Sequence, residues 1–229
     1  MNWHVVFDNI GLYAQGTWLT IKLTSITLFI AFFLSLPLAF ARNSANLWLR
    51  GTIIAYTTVF RGTPLLLQLF LVYFGLAQFE LLRASILWPW LSSPLFCTLL
   101  VFVLNSASYT TEIFAGGLRA ISKGEVEAAE ACGMSRLRIV RRIMIPAMLS
   151  RVLPNYGNEM IFLMHSTALA STVTLMELTG VARNITLNYY IQLEPYLAAA
   201  LIYLALSLLL VGGLKLVERR VAGYLQLAR

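Results

Sequence analysis

Apolar residues fall in long blocks along this chain, divided by short polar stretches. Five blocks match the ~20 residues a helix needs to cross a hydrocarbon layer. They predict spans at 18–41, 52–76, 95–116, 153–175 and 196–217 of an all-α membrane protein with five transmembrane helices. The blocks are not uniform. Lys22 sits near the start of the first, close enough to the end to snorkel, and Pro37 can kink its far end. The second is interrupted by Arg61-Gly62-Thr63-Pro64, where a missing backbone donor beside a glycine predicts a broken or bent helix. Trp88 and Trp90 suit an interfacial belt. The fourth block is weakly hydrophobic, holding Asn155, Asn158, Glu159, His165, Ser166 and Thr167, so other helices must shield it. Residues 1–16 read as a surface segment, 177–195 as a loop, and 215–229 as a basic tail.

The longest polar segment is 124–146, GEVEAAEACGMSRLRIVRRIMIP, between the third and fourth spans. Glu127 and Glu130 lie near the start of a short predicted helix, where negative charge suits the dipole. Ala128 and Ala129 are small enough for close approach to a groove, and Gly133 predicts a C-cap or bend. Arg138, Arg141 and Arg142 then share a face of a second, basic helix. Residue types alone leave two readings, a wet loop or a helix that docks on another protein.

Of 229 residues, 59% are hydrophobic and 12% charged, where a soluble domain carries about 25% charged residues. Mean hydropathy is +0.76, which puts most of the chain in lipid. The net charge of +7 does not point to nucleic acid, because the basic residues sit between apolar runs and suit loops facing an anionic leaflet. Five spans place the termini on opposite sides. One set of connections holds Arg42, Arg50, Arg119, Lys123, Arg136, Arg138, Arg141, Arg142, Lys215, Arg219, Arg220 and Arg229; the other holds Arg83 and Arg183. The basic side is cytoplasmic, so the N-terminus is predicted outside and 124–146 inside. Residues 1–11 have no basic stretch ahead of an apolar core and do not read as a cleaved signal peptide. Cys97 and Cys132 make neither a disulfide framework nor a zinc site.

Candidate ligand chemistry lies inside the predicted membrane layer. Asn155, Asn158, Glu159 and Phe162 recur at i, i+3, i+4 and i+7 and share a helix face. A carboxylate at such a place faces a cavity or a partner, and Glu159 can pair with a cationic substrate. Asn105 shares a face with Ser108 and Glu112, and either binds substrate or hydrogen-bonds another helix. Glu112, towards the cytoplasmic end, predicts a structural pair with an arginine, and His165 predicts a hydrogen bond across helices. Gly62, Thr63 and Pro64 predict a bend that can also expose backbone groups to a ligand. No catalytic or metal-binding constellation stands out, and without a G-x-x-x-x-G-K-[ST] loop the chain is not expected to bind ATP.

Glu127-Ala128-Ala129, then three residues, Gly133 and a later Ile145-Pro146 resemble the EAA loop of ABC-importer permeases. Arg61-Gly62-Thr63-Pro64 with Leu65 to Gln68, Asn105 to Thr110, and His165 to Ala170 resemble the polar-amino-acid branch of that family, and Thr174 to Leu178 is similar to arginine and to histidine/lysine/arginine/ornithine permeases. Glu125 stands where the family often has Gln, and Met164-His165 where it often has Lys-Asp or Lys-Asn. The resemblance implies a non-enzymatic pore subunit of the bacterial inner membrane for polar, basic amino acids such as arginine. It also implies a second permease subunit, identical or related, an extracytoplasmic solute-binding protein, and two ATPase subunits that carry ATP and Mg and dock on Glu127 to Gly133. The rivals are an importer of histidine, glutamine or another polar amino acid, a stand-alone channel or secondary transporter, and a structural or signalling membrane subunit.

Overall fold

A computed structural model of the protein describes residues 2–226, with side chains up to residue 219, and all its regular elements are helical. A short helix α1 (Trp3–Asp8) leads into α2 (Ile10–Arg42), which carries the first predicted span and begins eight residues before it. The interior face of α2 is a stripe of small residues: Gly16, Thr20, Thr24, Thr27, Ala31, Ser35 and Ala39. In lipid, helices associate by close backbone approach and hydrogen bonds rather than by burial from water, and small residues permit both. The following helices are α3 (Leu47–Gly62) and α4 (Leu65–Phe70), then a π-helical turn (Leu71–Gly75), a 3-10 turn (Leu76–Gln78), and short α5 (Glu80–Arg83) and α6 (Trp88–Leu91). The long central helix α7 (Pro94–Arg119) packs most extensively on α2. There Ser35 Oγ donates to the carbonyls of Ala31, 2.6 Å away, and Ala107, 3.1 Å away.

The polar segment folds as α8 (Lys123–Ala131) and α9 (Arg136–Ile139). It then runs through a π-helical turn (Val140–Met144) directly into α10 (Ile145–Ser166). The basic second half of 124–146 and the span predicted from 153 form one continuous helical arm, in which the π-helical turn immediately precedes Ile145-Pro146. The arm ends in a 3-10 stretch, Thr167–Val173.

The loop predicted over 177–195 is corrected. It contains α11 (Leu178–Tyr189), with Leu178, Val181, Ala182 and Ile185 buried against Tyr13 of α2 and against Ala198 and Ala199 of α12 (Leu193–Gln226). Fully buried Glu177 caps α11, accepting from the N–H groups of Thr179 at 2.9 Å and Gly180 at 2.8 Å, and from the hydroxyl of Tyr203 at 2.8 Å. By length and composition α2, α7 and α12 can each cross a membrane. So can two bent pairs: α3 with 65–78, bent by 101°, and the arm 136–173 with α11, bent by 44°. Most of α12 is exposed on the outside of this bundle. Arg220 and Arg229 of the basic tail lie outside the described side chains.

Candidate functional site

A cavity of about 640 Å³ opens where α3 breaks. Thr63 precedes a proline, and its backbone is extended (φ −113°, ψ 143°), as is that of Pro64 (φ −62°, ψ 132°). The break strands carbonyls of the last α3 turn, and side chains take them up. Gln68 Nε2 donates to Phe60 O at 2.8 Å, to Thr63 O at 3.1 Å and to Thr63 Oγ1 at 2.8 Å. Asn105 Nδ2 donates to Phe60 O at 3.0 Å and to Gln68 Oε1 at 3.1 Å. Asn105 thus buttresses the break with its donors, and its side-chain oxygen accepts no hydrogen bond among the described residues.

Opposite the break stands the polar face of α10. Asn155, Asn158, Glu159 and Phe162 line the cavity together with Asn105, Gly62, Thr63 and Pro64, so both groups of residues marked in the sequence converge. Glu159 accepts from Ser106 Oγ at 2.9 Å, which fixes its position relative to α7. Neither Asn155 nor Asn158 is held by a side-chain hydrogen bond among the described residues, so both carboxamides are available to a ligand. Sequence reasoning passed over Arg61 and Tyr109 as lining residues, although a charge beside the break was the available signal. It also passed over Gln68, which no periodicity connects to the break.

Glu112 lies apart from this cavity. It accepts from Arg42 Nε at 2.7 Å and from Thr57 Oγ1 at 2.9 Å, joining α2, α3 and α7. This is the structural pair that its position predicted. His165 Nε2 and Ser207 Oγ are 2.9 Å apart, the expected bond across helices.

The second candidate region is α8. Ser122 Oγ caps it, accepting from Glu125 N at 3.2 Å. Gly133 ends it with φ +74°, a left-handed conformation that disfavours any side chain. Its N–H reaches Glu130 O at 2.9 Å, and the N–H of Met134 reaches Ala129 O at 3.1 Å, which together satisfy the terminal carbonyls. Glu127, Ala128 and Gly133 are exposed, while Ala129 is 5% exposed. Arg151 Nη2 donates to Glu125 Oε1 at 3.1 Å, tying α8 to α10. Slight burial pushes the Glu125 carboxyl up, but the hydrogen bond and charge of Arg151 outweigh it and hold the group below the ordinary carboxylate range.

Residues 31–223 match the family described as binding-protein-dependent transport system inner membrane component. The chain belongs to this family. Among its relatives, the octopine transport system permease protein OccM of Rhizobium meliloti is 41% identical over 203 residues, covering 89% of this chain and 83% of the relative. The arginine ABC transporter permease protein ArtM of Haemophilus influenzae is 40% identical over 217 residues, 95% of both chains. The histidine/lysine/arginine/ornithine permease HisM of Escherichia coli (strain K12) is 37% identical over 219 residues, 95% of this chain and 92% of the relative. A crystal structure of an amino acid ABC transporter with histidines superposes with a TM-score of 0.83 at 31% identity, over 96% of this chain and 99% of that one. An inward-facing MetNI methionine ABC transporter shares the fold, with a TM-score of 0.78 at 20% identity over 93% and 98%. The chain is thus an ABC-importer permease subunit, a pore component rather than an enzyme.

Proposed function

We propose that this permease subunit carries basic amino acids, arginine foremost, through the cavity at the α3 break. The observation that carries the reading is the lining. One carboxylate, Glu159, stands among the carboxamides of Asn105, Asn155 and Asn158 beside a broken helix, in a chain 40% identical to an arginine permease over 95% of its length. A carboxylate on a low-dielectric wall selects a guanidinium or ammonium by charge, and carboxamides complete its hydrogen bonds. The bent pairs count as two crossings, giving five, with the N-terminus outside and the C-terminus in the cytoplasm of a bacterial inner membrane, since cytoplasmic loops gather arginine and lysine.

In this arrangement α8 is the coupling helix. An ATPase subunit receives its exposed Glu127–Gly133 surface, and α9 and α10 pass the displacement to the cavity wall, since only the short turn at 132–135 separates α8 from the continuous arm that α9 and α10 form. ATP and Mg belong to that partner. A second permease subunit, identical or related, covers the exposed face of α12, and an extracytoplasmic binding protein delivers the substrate. The test is reconstitution of the permease with its ATPase and binding protein in proteoliposomes. ATP-dependent uptake of arginine exceeding that of glutamine supports the reading. Uptake by this chain alone without ATP, or a preference for glutamine, overturns it.

A further inference from the structure

The cavity has a positive side that the recognition of a cation leaves unused. Arg61 is its one basic lining residue, and Glu159 its one acidic one. The two do not pair: among the described residues Arg61 forms no ion pair with a carboxylate. Its guanidinium lies over the Tyr109 ring, with Cζ 5.2 Å from the centroid. The Tyr109 hydroxyl donates to the Arg61 carbonyl at 3.4 Å. The ring therefore holds the guanidinium by a cation–π contact, and none of its N–H donors reaches a protein acceptor among the described residues. Those donors form a planar fork that matches a carboxylate.

Opposite charges held apart across one cavity fit a zwitterion better than a simple cation. Glu112, the other carboxylate within reach of the Arg61 charge, has its hydrogen bonds from Arg42 and Thr57 and none from Arg61 among the described residues. Arg61 also stands on a well-braced element, since Gln68 and Asn105 tie down the carbonyls on either side of it. Resting on the amino-acid reading above, we infer that Arg61 is the anchor for the substrate's α-carboxylate, while Glu159 takes its positive end. Tyr109 packs beside the guanidinium.

The decisive comparison is L-arginine against agmatine, the same guanidinium chain without a carboxylate. Their affinities are measured by calorimetry on the permease–ATPase complex in nanodiscs, with no binding protein present. The wild type is expected to favour arginine by about tenfold or more, the worth of one charge-assisted hydrogen-bonded contact. Arg61→Gln should lower arginine affinity by about that factor, leave agmatine within about twofold of wild type, and abolish the preference. Arg61→Met serves as the second neutral variant should the glutamine form not assemble with its ATPase. Equal loss for both compounds, or an unchanged preference, overturns the role of Arg61. A wild-type complex that binds neither compound overturns instead the reading of the cavity as a basic-amino-acid site.

Discussion

Gly117 is a point of close approach between α7 and α10. A Cβ placed on it would stand 2.3 Å from Val152 Cγ1, 3.0 Å from Met148 Cγ and 3.4 Å from Met148 O. Carbon atoms in good contact sit about 3.5–4.0 Å apart, so Gly117→Ala leaves the Val152 contact short by about 1.2 Å or more. Neither neighbour can yield easily. Val152 is 4% exposed and stiff at χ1, and Met148 is fully buried within the cluster of Ala39, Phe114, Ala115 and Leu118. Relief requires α10 to move away from α7, and overpacking of this kind costs about 1–3 kcal/mol. For a chain of this size that is a fall of roughly 2–12 °C in melting temperature. The assay is thermal unfolding of the purified complex for Gly117→Ala, Val152→Ala and the double variant. Removing the Val152 methyls makes room for the added carbon, so the double variant should be more stable than the sum of the two single effects. A Gly117→Ala protein that melts with the wild type, or strict additivity in the double variant, refutes the close-contact argument.

Three further predictions bear on function. Glu127→Lys reverses the charge of an exposed residue without an ion pair among the described residues, so folding stability should stay within about 0.5 kcal/mol while ATPase co-purification falls; full retention of the ATPase would sink the docking role. Glu159→Gln keeps the Ser106 contact but removes the charge, and should reduce arginine uptake by about tenfold or more and neutral amino-acid uptake less; equal losses remove Glu159 from the cation site. Glu125 has a depressed carboxyl pKa, so its link to Arg151 is fully present above the unfolded value of about 4.3 and is lost as pH falls through the lower folded value. Proteolysis across α8 should accordingly be flat from about pH 8 down to about pH 5.5 but faster in Glu125→Gln at neutral pH; a variant cleaved at the wild-type rate shows that the tether does not hold α8.

Much of the functional geometry was legible because it is local. The break follows from Thr63-Pro64, since proline excludes helix at the residue before it and removes a donor. The cap of α8 follows from Gly133, and the cavity face of α10 from the i, i+3, i+4, i+7 recurrence of Asn155, Asn158, Glu159 and Phe162. Other features were hidden for a physical reason. Residues 177–195 read as loop because Gly180, Arg183 and Asn184 dilute the segment, yet Leu178, Val181, Ala182 and Ile185 follow the same helical spacing. Its burial depends on Tyr13 and Ala198, far away along the chain. Glu177 looked like a loop carboxylate and proved a buried cap, because Tyr203 arrives from another helix to share it.

The sequence by itself determined what each segment is: which stretches are apolar enough for lipid, where a helix must break or end, and where a charged island lies between apolar blocks. Those properties depend on neighbours within one or two helical turns, and a chain of 229 residues carries them openly. Only the tertiary structure decided what each polar group is for. Asn105, open between substrate contact and a bond to another helix, became a brace for the break, the arginine expected beside Glu112 proved to be Arg42, and Arg61 came to line the same cavity as Glu159, because in a low-dielectric interior a polar group's role is set by its partner across the packing. Those partners lie 37 to 70 residues away for Asn105 and Glu112, beyond the reach of any periodicity.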